Sequence, residues 1–181
     1  MSSDKKDFCE SDSLELKVPT SLDMKKIGQV IGENVQSGLL VMLDGPLGAG
    51  KTTLTQGIAV GLGIEERIQS PTFVIAMLHD NHSDRPSLLH VDAYRLESVF
   101  VLDDLDLDAL MEESVAVIEW GRGKVEVLST DRLEIEVIRP VGGSAENTVE
   151  DLYEDSIRKL LIKSTGPKSQ EVVNALKSCV K

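Results

Sequence analysis

The chain has 181 residues, with 31 Asp and Glu against 19 Lys and Arg for a formal net charge of −12; 41% of it is hydrophobic and only 3% aromatic. That length suits one domain and the apolar fraction suits a packed core, so wholesale disorder is excluded. The acidic balance sets aside autonomous binding to DNA, RNA or an anionic membrane, because affinity for a phosphate backbone comes mainly from Lys and Arg. Anything anionic that the protein holds must be held by a local device.

Residues 1–13 read as a polar N-terminal tail with no apolar run, hence not a secretory signal. The longest apolar run, Leu39 to Leu43, is far too short for a membrane span. Cys9 and Cys179 lie in polar ends without Cys-x-x-Cys spacing, which fits reduced, incidental thiols of a cytoplasmic protein.

Leu14–Val18 alternates like a strand, and Thr20 or Ser21 then caps a helix carrying Leu22, Ile27, Val30, Ile31 and Val35. Leu39–Leu43, apolar on both faces, reads as a fully buried strand. A Gly-rich turn follows, then a helix from Lys51 to about Gly61. Thr72–Leu78 and Leu88–Val91 read as strands of a hairpin across the polar loop Asp80–Ser87. Asp103–Glu113 holds short helical pieces, Val115–Ile118 a second buried strand, and Leu133–Ile138 a final alternating one. The alternation of strand and helix predicts an α/β domain over 14–141: a mainly parallel central sheet flanked by helices, with one antiparallel hairpin. Residues 142–181, acidic and with a short apolar-periodic stretch (Leu152, Ile157, Leu160, Leu161), read as a loosely attached helical extension.

The segment from Leu43 to Thr53, Leu-Asp-Gly-Pro-Leu-Gly-Ala-Gly-Lys-Thr-Thr, contains G-x-x-x-x-G-K-T between a buried strand and a helix. That context turns the pattern into a phosphate loop of the P-loop NTPase kind. Gly45, Gly48 and Gly50 allow the tight turn that aims backbone N–H groups at phosphate oxygens, with Leu47 and Ala49 between them. The helix N-terminus adds its positive dipole end. Lys51 supplies a point charge for the β- and γ-phosphates, and the Thr52 hydroxyl is a hard ligand for Mg²⁺. One such loop holds a polyphosphate on a protein of charge −12, because its field is local and Mg²⁺ enters as counter-ion.

Hydrolysis needs a further acid for the metal or the attacking water. Glu119 follows Val115–Ile118 and Asp92 follows Leu88–Val91, both at strand ends where open α/β sheets bind ligands. The alternative for either is a solvated residue or a helix cap. Ser70-Pro71-Thr72 offers a hydroxyl on a rigid turn, either a switch-like loop near the γ-phosphate or plain turn chemistry. Trp120 is either a stacking surface for a base or a core indole. His79, His82 and His90 lack the companion ligands of a zinc site.

Four blocks, G-P-L-G-A-G-K-T-T-L (45–54), S-P-T-F (70–73), H-V-D-A-Y-R-L (90–96) and I-E-W (118–120), resemble the TsaE (YjeE) family in order and spacing, over roughly Leu14 to Arg139. That family comprises small bacterial ATPases required for threonylcarbamoyladenosine (t6A) modification of tRNA adenosine 37. The resemblance implies an ATP site in which Lys51, Thr52 and Thr53 hold phosphates and Mg²⁺. It makes Glu119 the second acid on the metal side and Asp92 a residue needed for hydrolysis; Thr72 falls in a switch-like loop and Trp120 close to the nucleotide. It also implies TsaD and TsaB as partners, with strong turnover only in their assembly. Where many members carry Asp or Glu after the first loop glycine, this chain has Pro46.

Other classes make different demands. A small-molecule kinase sharing the phosphate loop brings a lid with several arginines, whereas Arg67, Arg85, Arg95 and Arg122 are scattered singly. A GTPase switch needs Asn-Lys-x-Asp and Asp-x-x-Gly, and neither is present. A nucleotide-gated interaction module without essential hydrolysis stays open at the level of sequence.

Overall fold

The computed structural model describes residues 13–71, 75–94, 107–139 and 157–179. Seven strands form one sheet in the order β1-β7-β6-β2-β5-β4-β3. In chain order these are β1 (Ser13–Val18), β2 (Leu40–Asp44), β3 (Ala76–His79), β4 (Ser87–Asp92), β5 (Ser114–Glu119), β6 (Arg132–Ile138) and β7 (Arg158–Ser164). The helices are α1 (Ser21–Asn34), α2 (Lys51–Leu62), α3 (Leu107–Glu113) and α4 (Pro167–Cys179). The four central strands β6, β2, β5 and β4 run parallel, while β3, β7 and β1 pair antiparallel. The predicted α/β architecture with its antiparallel hairpin is therefore the observed one.

β2 and β5 are buried along almost their whole length, as their unbroken apolar runs require of strands covered on both faces. Side chains alternate between two cores. Val41, Leu43, Val115, Val117, Leu133 and Ile135 face α1, α2 and α4. Leu40, Met42, Leu89, Val91, Ala116 and Ile118 face the opposite side, with Met111 of α3 and Val125. Each fully buried Leu or Ile stabilises the fold by about 2 kcal/mol.

α1 begins where the sequence places its cap: Thr20 Oγ1 accepts the Asp23 N–H at 3.1 Å. α1 and α2 cross through an exchange of glycines spaced by four, Gly28 and Gly32 against Gly57 and Gly61. A Cβ built on any of the four would collide with backbone of the other helix: the Leu54 and Ile58 carbonyls for the first pair, those of Lys25 and Gln29 for the second. The two helix backbones thus touch with no side chain between them.

Two expectations are corrected. The strand predicted over Thr72–Leu78 is Ala76–His79, and residues 72–74 lie outside the described residues. The C-terminal segment is not a loosely attached helix. Arg158–Ser164 is a strand inserted between β1 and β6, hydrogen-bonded on both sides, and α4 buries Val172, Val173 and Leu176 against the core. The physical reason is edge satisfaction: without β7, both β6 and β1 would present unpaired backbone groups. α4 is capped from a distance, since Asp131 accepts the N–H groups of Lys168 (2.7 Å) and Ser169 (3.0 Å).

Candidate nucleotide site

Three parallel strands, β2, β5 and β4, end on one line, and the residues singled out in the sequence emerge there. β2 runs into the glycine loop, whose shape depends on its first and last glycines. Gly45 has φ +140°, with the Val137 carbonyl where a Cβ would sit. Gly50 has φ +110° and forms the N-cap of α2 without any side-chain cap. The first N–H groups of α2 therefore point out of the helix end unmet by a capping side chain. Pro46 has no N–H to donate, but its carbonyl accepts from Ala49 N (3.2 Å), which tightens the turn. Leu47 projects from the loop into solvent, Ala49 is buried under it, and Gly48 and Thr53 complete the loop and the first helical turn.

Lys51 is only 5% exposed, and its ammonium curls back into the loop. Nζ donates to the carbonyls of Gly45 (2.7 Å) and Pro46 (3.1 Å) and stands 3.8 Å from the centre of the Trp120 ring. Burial pushes its pKa below the ordinary 10.5, opposed in part by the negative charges of Glu119, Asp44 and Asp92. The lysine is thus held by dipoles and a ring face, partners weaker than a phosphate, which an anion at the helix end can replace.

Thr52 Oγ1 donates to Glu119 Oε1 at 3.0 Å, and the same carboxylate oxygen lies 3.0 Å from His90 Nε2. Asp92 stands beside Glu119 in register on the neighbouring parallel strand, and its Oδ1 accepts the Tyr94 N–H at 3.0 Å. Glu119 and Asp92 are 3% and 6% exposed, which decides between the alternatives left open by sequence: neither is a solvated strand-exit residue.

Trp120 lies at the rim and is not a fully buried core indole. Its backbone is left-handed, φ +61°, with its N–H donating to Leu43 O at 3.0 Å. Such a conformation is costly for a bulky residue and holds the indole over Lys51. The Tyr94 ring meets it edge-on, centroids 5.2 Å apart.

Thr72, predicted in a switch-like loop, lies outside the described residues. The flanks of its segment converge on the site: Pro71 O accepts the Ile75 N–H, and Ile75 O accepts the Asp92 N–H, both at 2.8 Å. His79 is buried with Nδ1 on Glu66 at 3.0 Å, away from the glycine loop in sequence and partners. Arg122 is engaged with Asp44 (2.9 Å) and Glu136 (3.1 Å), and Arg85 with the Gly32 and Glu33 carbonyls that end α1. His90, considered in the sequence only as a zinc ligand, is a buried neighbour of Glu119. Its signal was the H-x-D spacing on a buried strand, which puts His90 and Asp92 on one face.

Among the described residues, no group of three or more His, Cys, Asp or Glu side chains could by itself hold a metal ion. Mg²⁺ in a nucleotide site needs fewer protein ligands, usually one or two together with phosphate oxygens. A half-buried hydroxyl hydrogen-bonded to a buried carboxylate at the helix end, Thr52 with Glu119, fits such an ion. No helix among the described residues is long and apolar enough to cross a membrane.

The comparisons with known proteins agree with this geometry. The family model "Threonylcarbamoyl adenosine biosynthesis protein TsaE" matches residues 18–145. A Streptomyces coelicolor protein named tRNA threonylcarbamoyladenosine biosynthesis protein TsaE is 50% identical over 124 residues, 68% of this chain and 84% of its own. A Mycobacterium tuberculosis protein of the same name is 42% identical over 129 residues, 67% of this chain and 77% of its own. The crystal structure of Bacillus subtilis YdiB superposes with a TM-score of 0.71 at 25% identity, over 95% of this chain and 99% of that one. With the phosphate loop in place between β2 and α2 and the family match spanning most of the domain, the chain belongs to the TsaE family.

Proposed function

We propose that the chain is a Mg²⁺-dependent ATPase required for t6A modification of tRNA in the cytoplasm, acting with TsaD and TsaB and turning over slowly without them. The observation that carries the reading is the convergence, at the N-terminus of α2, of a phosphate loop, a buried lysine, and a threonine hydroxyl bonded to a buried glutamate beside a second buried acid.

In this reading the α2 amides and the loop backbone cradle the phosphates, and Lys51 leaves the Gly45 and Pro46 carbonyls to meet them. Thr52 and Glu119 hold the metal side. Mg²⁺, when bound, neutralises charge on the β- and γ-phosphates. Asp92 orients the attacking water, with Glu119 the alternative for that task. Arg122 is already held by Asp44 and Glu136, so it offers no ready stabiliser for the transition state; this supports weak intrinsic turnover, completed by a docked partner.

The test is steady-state phosphate release by the protein alone and with TsaD and TsaB. Strong stimulation by the partners is expected. Rapid turnover by the isolated protein, unchanged on their addition, would sink the reading, and phosphate appearing on an added metabolite would favour a small-molecule kinase instead. At net charge −12, the isolated chain is expected to show no measurable tRNA affinity, and salt is expected to weaken its partner binding.

A further inference from the structure

β4 carries a buried polar side chain to which the mechanism above assigns no task. His90 is 0% exposed, sits two residues before Asp92, and turns its ring toward the α2 side of the sheet, the side of Leu88. Its Nε2 lies 3.0 Å from Glu119 Oε1, and its Nδ1 has no hydrogen-bond partner. An ionised carboxylate only accepts, so Nε2 carries the proton of this bond. A buried polar atom without a partner is unfavourable, and an apolar residue would suit this strand position better on packing grounds alone. What the imidazole adds is its one hydrogen bond.

That bond has a geometric consequence. Glu119 Oε1 takes Thr52 Oγ1 from α2 and His90 Nε2 from β4, two donors fixed on separate elements. With one donor the carboxylate can still pivot about its last side-chain bond. With two converging on one oxygen, its plane is set. The threonine hydroxyl then donates its hydrogen to Glu119 and keeps its lone pairs for a cation.

We propose that His90 is a positioning residue: through Nε2–H it fixes the Glu119 carboxylate, and thereby the Thr52 hydroxyl, in the orientation that takes Mg²⁺ with the nucleotide. The inference rests on the Mg²⁺–nucleotide reading above and extends it to a residue that touches neither. Groups that orient metal ligands in this way typically change metal affinity 10- to 100-fold when removed.

The experiment measures binding of a fluorescent ATP analogue to the full chain, in EDTA and in saturating Mg²⁺, and takes the ratio of the two affinities. His90→Gln places an amide nitrogen near the Nε2 position, whereas His90→Asn reaches only the Nδ1 position. Affinities in EDTA are expected to agree within about threefold among wild type and both variants, because the phosphate contacts are untouched. The gain from Mg²⁺ should fall about tenfold in His90→Asn and stay within about threefold of wild type in His90→Gln. If the Asn variant does not fold, as judged by circular dichroism, His90→Leu carries the same expectation. An unchanged gain in Asn or Leu, or an equal loss in Gln and Asn, overturns the role of His90 while leaving the ATPase reading intact. Failure of the wild type to bind the analogue at all overturns both.

Discussion

At the carboxyl end of β2 two clusters of charge stand back to back. On the α2 side are Lys51, Glu119 and Asp92; by the alternation of the strands, Asp44 and Glu136 lie on the other side, joined by Arg122. Each set has one cation and two carboxylates at the end of the sheet that carries the glycine loop, yet they behave oppositely. Burial pushes the Lys51 pKa down, while the hydrogen bond that Arg122 donates to Glu136 leads the forces that push the Arg122 pKa up. Arg122 is 54% exposed and Lys51 5%. Water screens the Arg122 cluster into a surface tie and leaves the Lys51 cluster as a site where charge must be met by a specific partner.

Substitutions can break this contrast, beginning with the lysine. Lys51→Ala is expected to weaken binding of a fluorescent ATP analogue about 100-fold, or ~3 kcal/mol, the value of a charge-assisted contact in a buried site. Arg122→Ala should change it less than about threefold; equal losses would erase the distinction. Next comes the acid. Glu119→Gln, which keeps size and removes charge, should cut phosphate release in the presence of the partners roughly 10- to 100-fold, and Glu136→Gln should leave it within about twofold.

A pH experiment sharpens the comparison. The folded pKa of Lys51 is depressed below its unfolded value of 10.5, so the unfolded chain binds more protons in the window between them. Stability from this group therefore rises with pH up to about 10.5 and is lost as pH falls through the folded pKa. Urea unfolding of wild type minus Lys51→Met should climb across that alkaline window. A flat or falling difference would mean that the lysine is not desolvated. The smallest effect belongs to the exposed cluster: Arg122→Ala should cost under about 1 kcal/mol of stability, vanishing in 1 M salt.

The glycine loop, the two buried strands and the cap of α1 were legible in the sequence because each is a local pattern: a run of glycines, an unbroken apolar stretch, a threonine three residues before Asp23. β7 was not. Its charged Arg158, Lys159 and Lys163 and the adjacent pair Leu160-Leu161 imitate a helical spacing with Ile157, and its two partners come from distant parts of the chain. α4 was hidden for a related reason: its cap is Asp131, thirty-odd residues upstream. In the site, residue identity pointed to Glu119 and Asp92, but only burial distinguished them from solvated strand ends. The H-x-D spacing puts His90 on the face of Asp92, but the strand register that sets its ring against Glu119 is a property of the pairing of β4 with β5, which the sequence does not display.

The exchange of Gly28 and Gly32 with Gly57 and Gly61 has a mechanical meaning. Helices separated by side chains can slip past one another by changing rotamers; two backbones in direct contact have nothing to rearrange. α2, which starts at the phosphate-binding end, is therefore keyed to α1 along its length, and Met24 of α1 reaches back to within 3.3 Å of where a Cβ on Gly50 would lie. The pair acts as a fixed anvil. Whatever rearranges when a nucleotide arrives is therefore not the packing of α2 on α1.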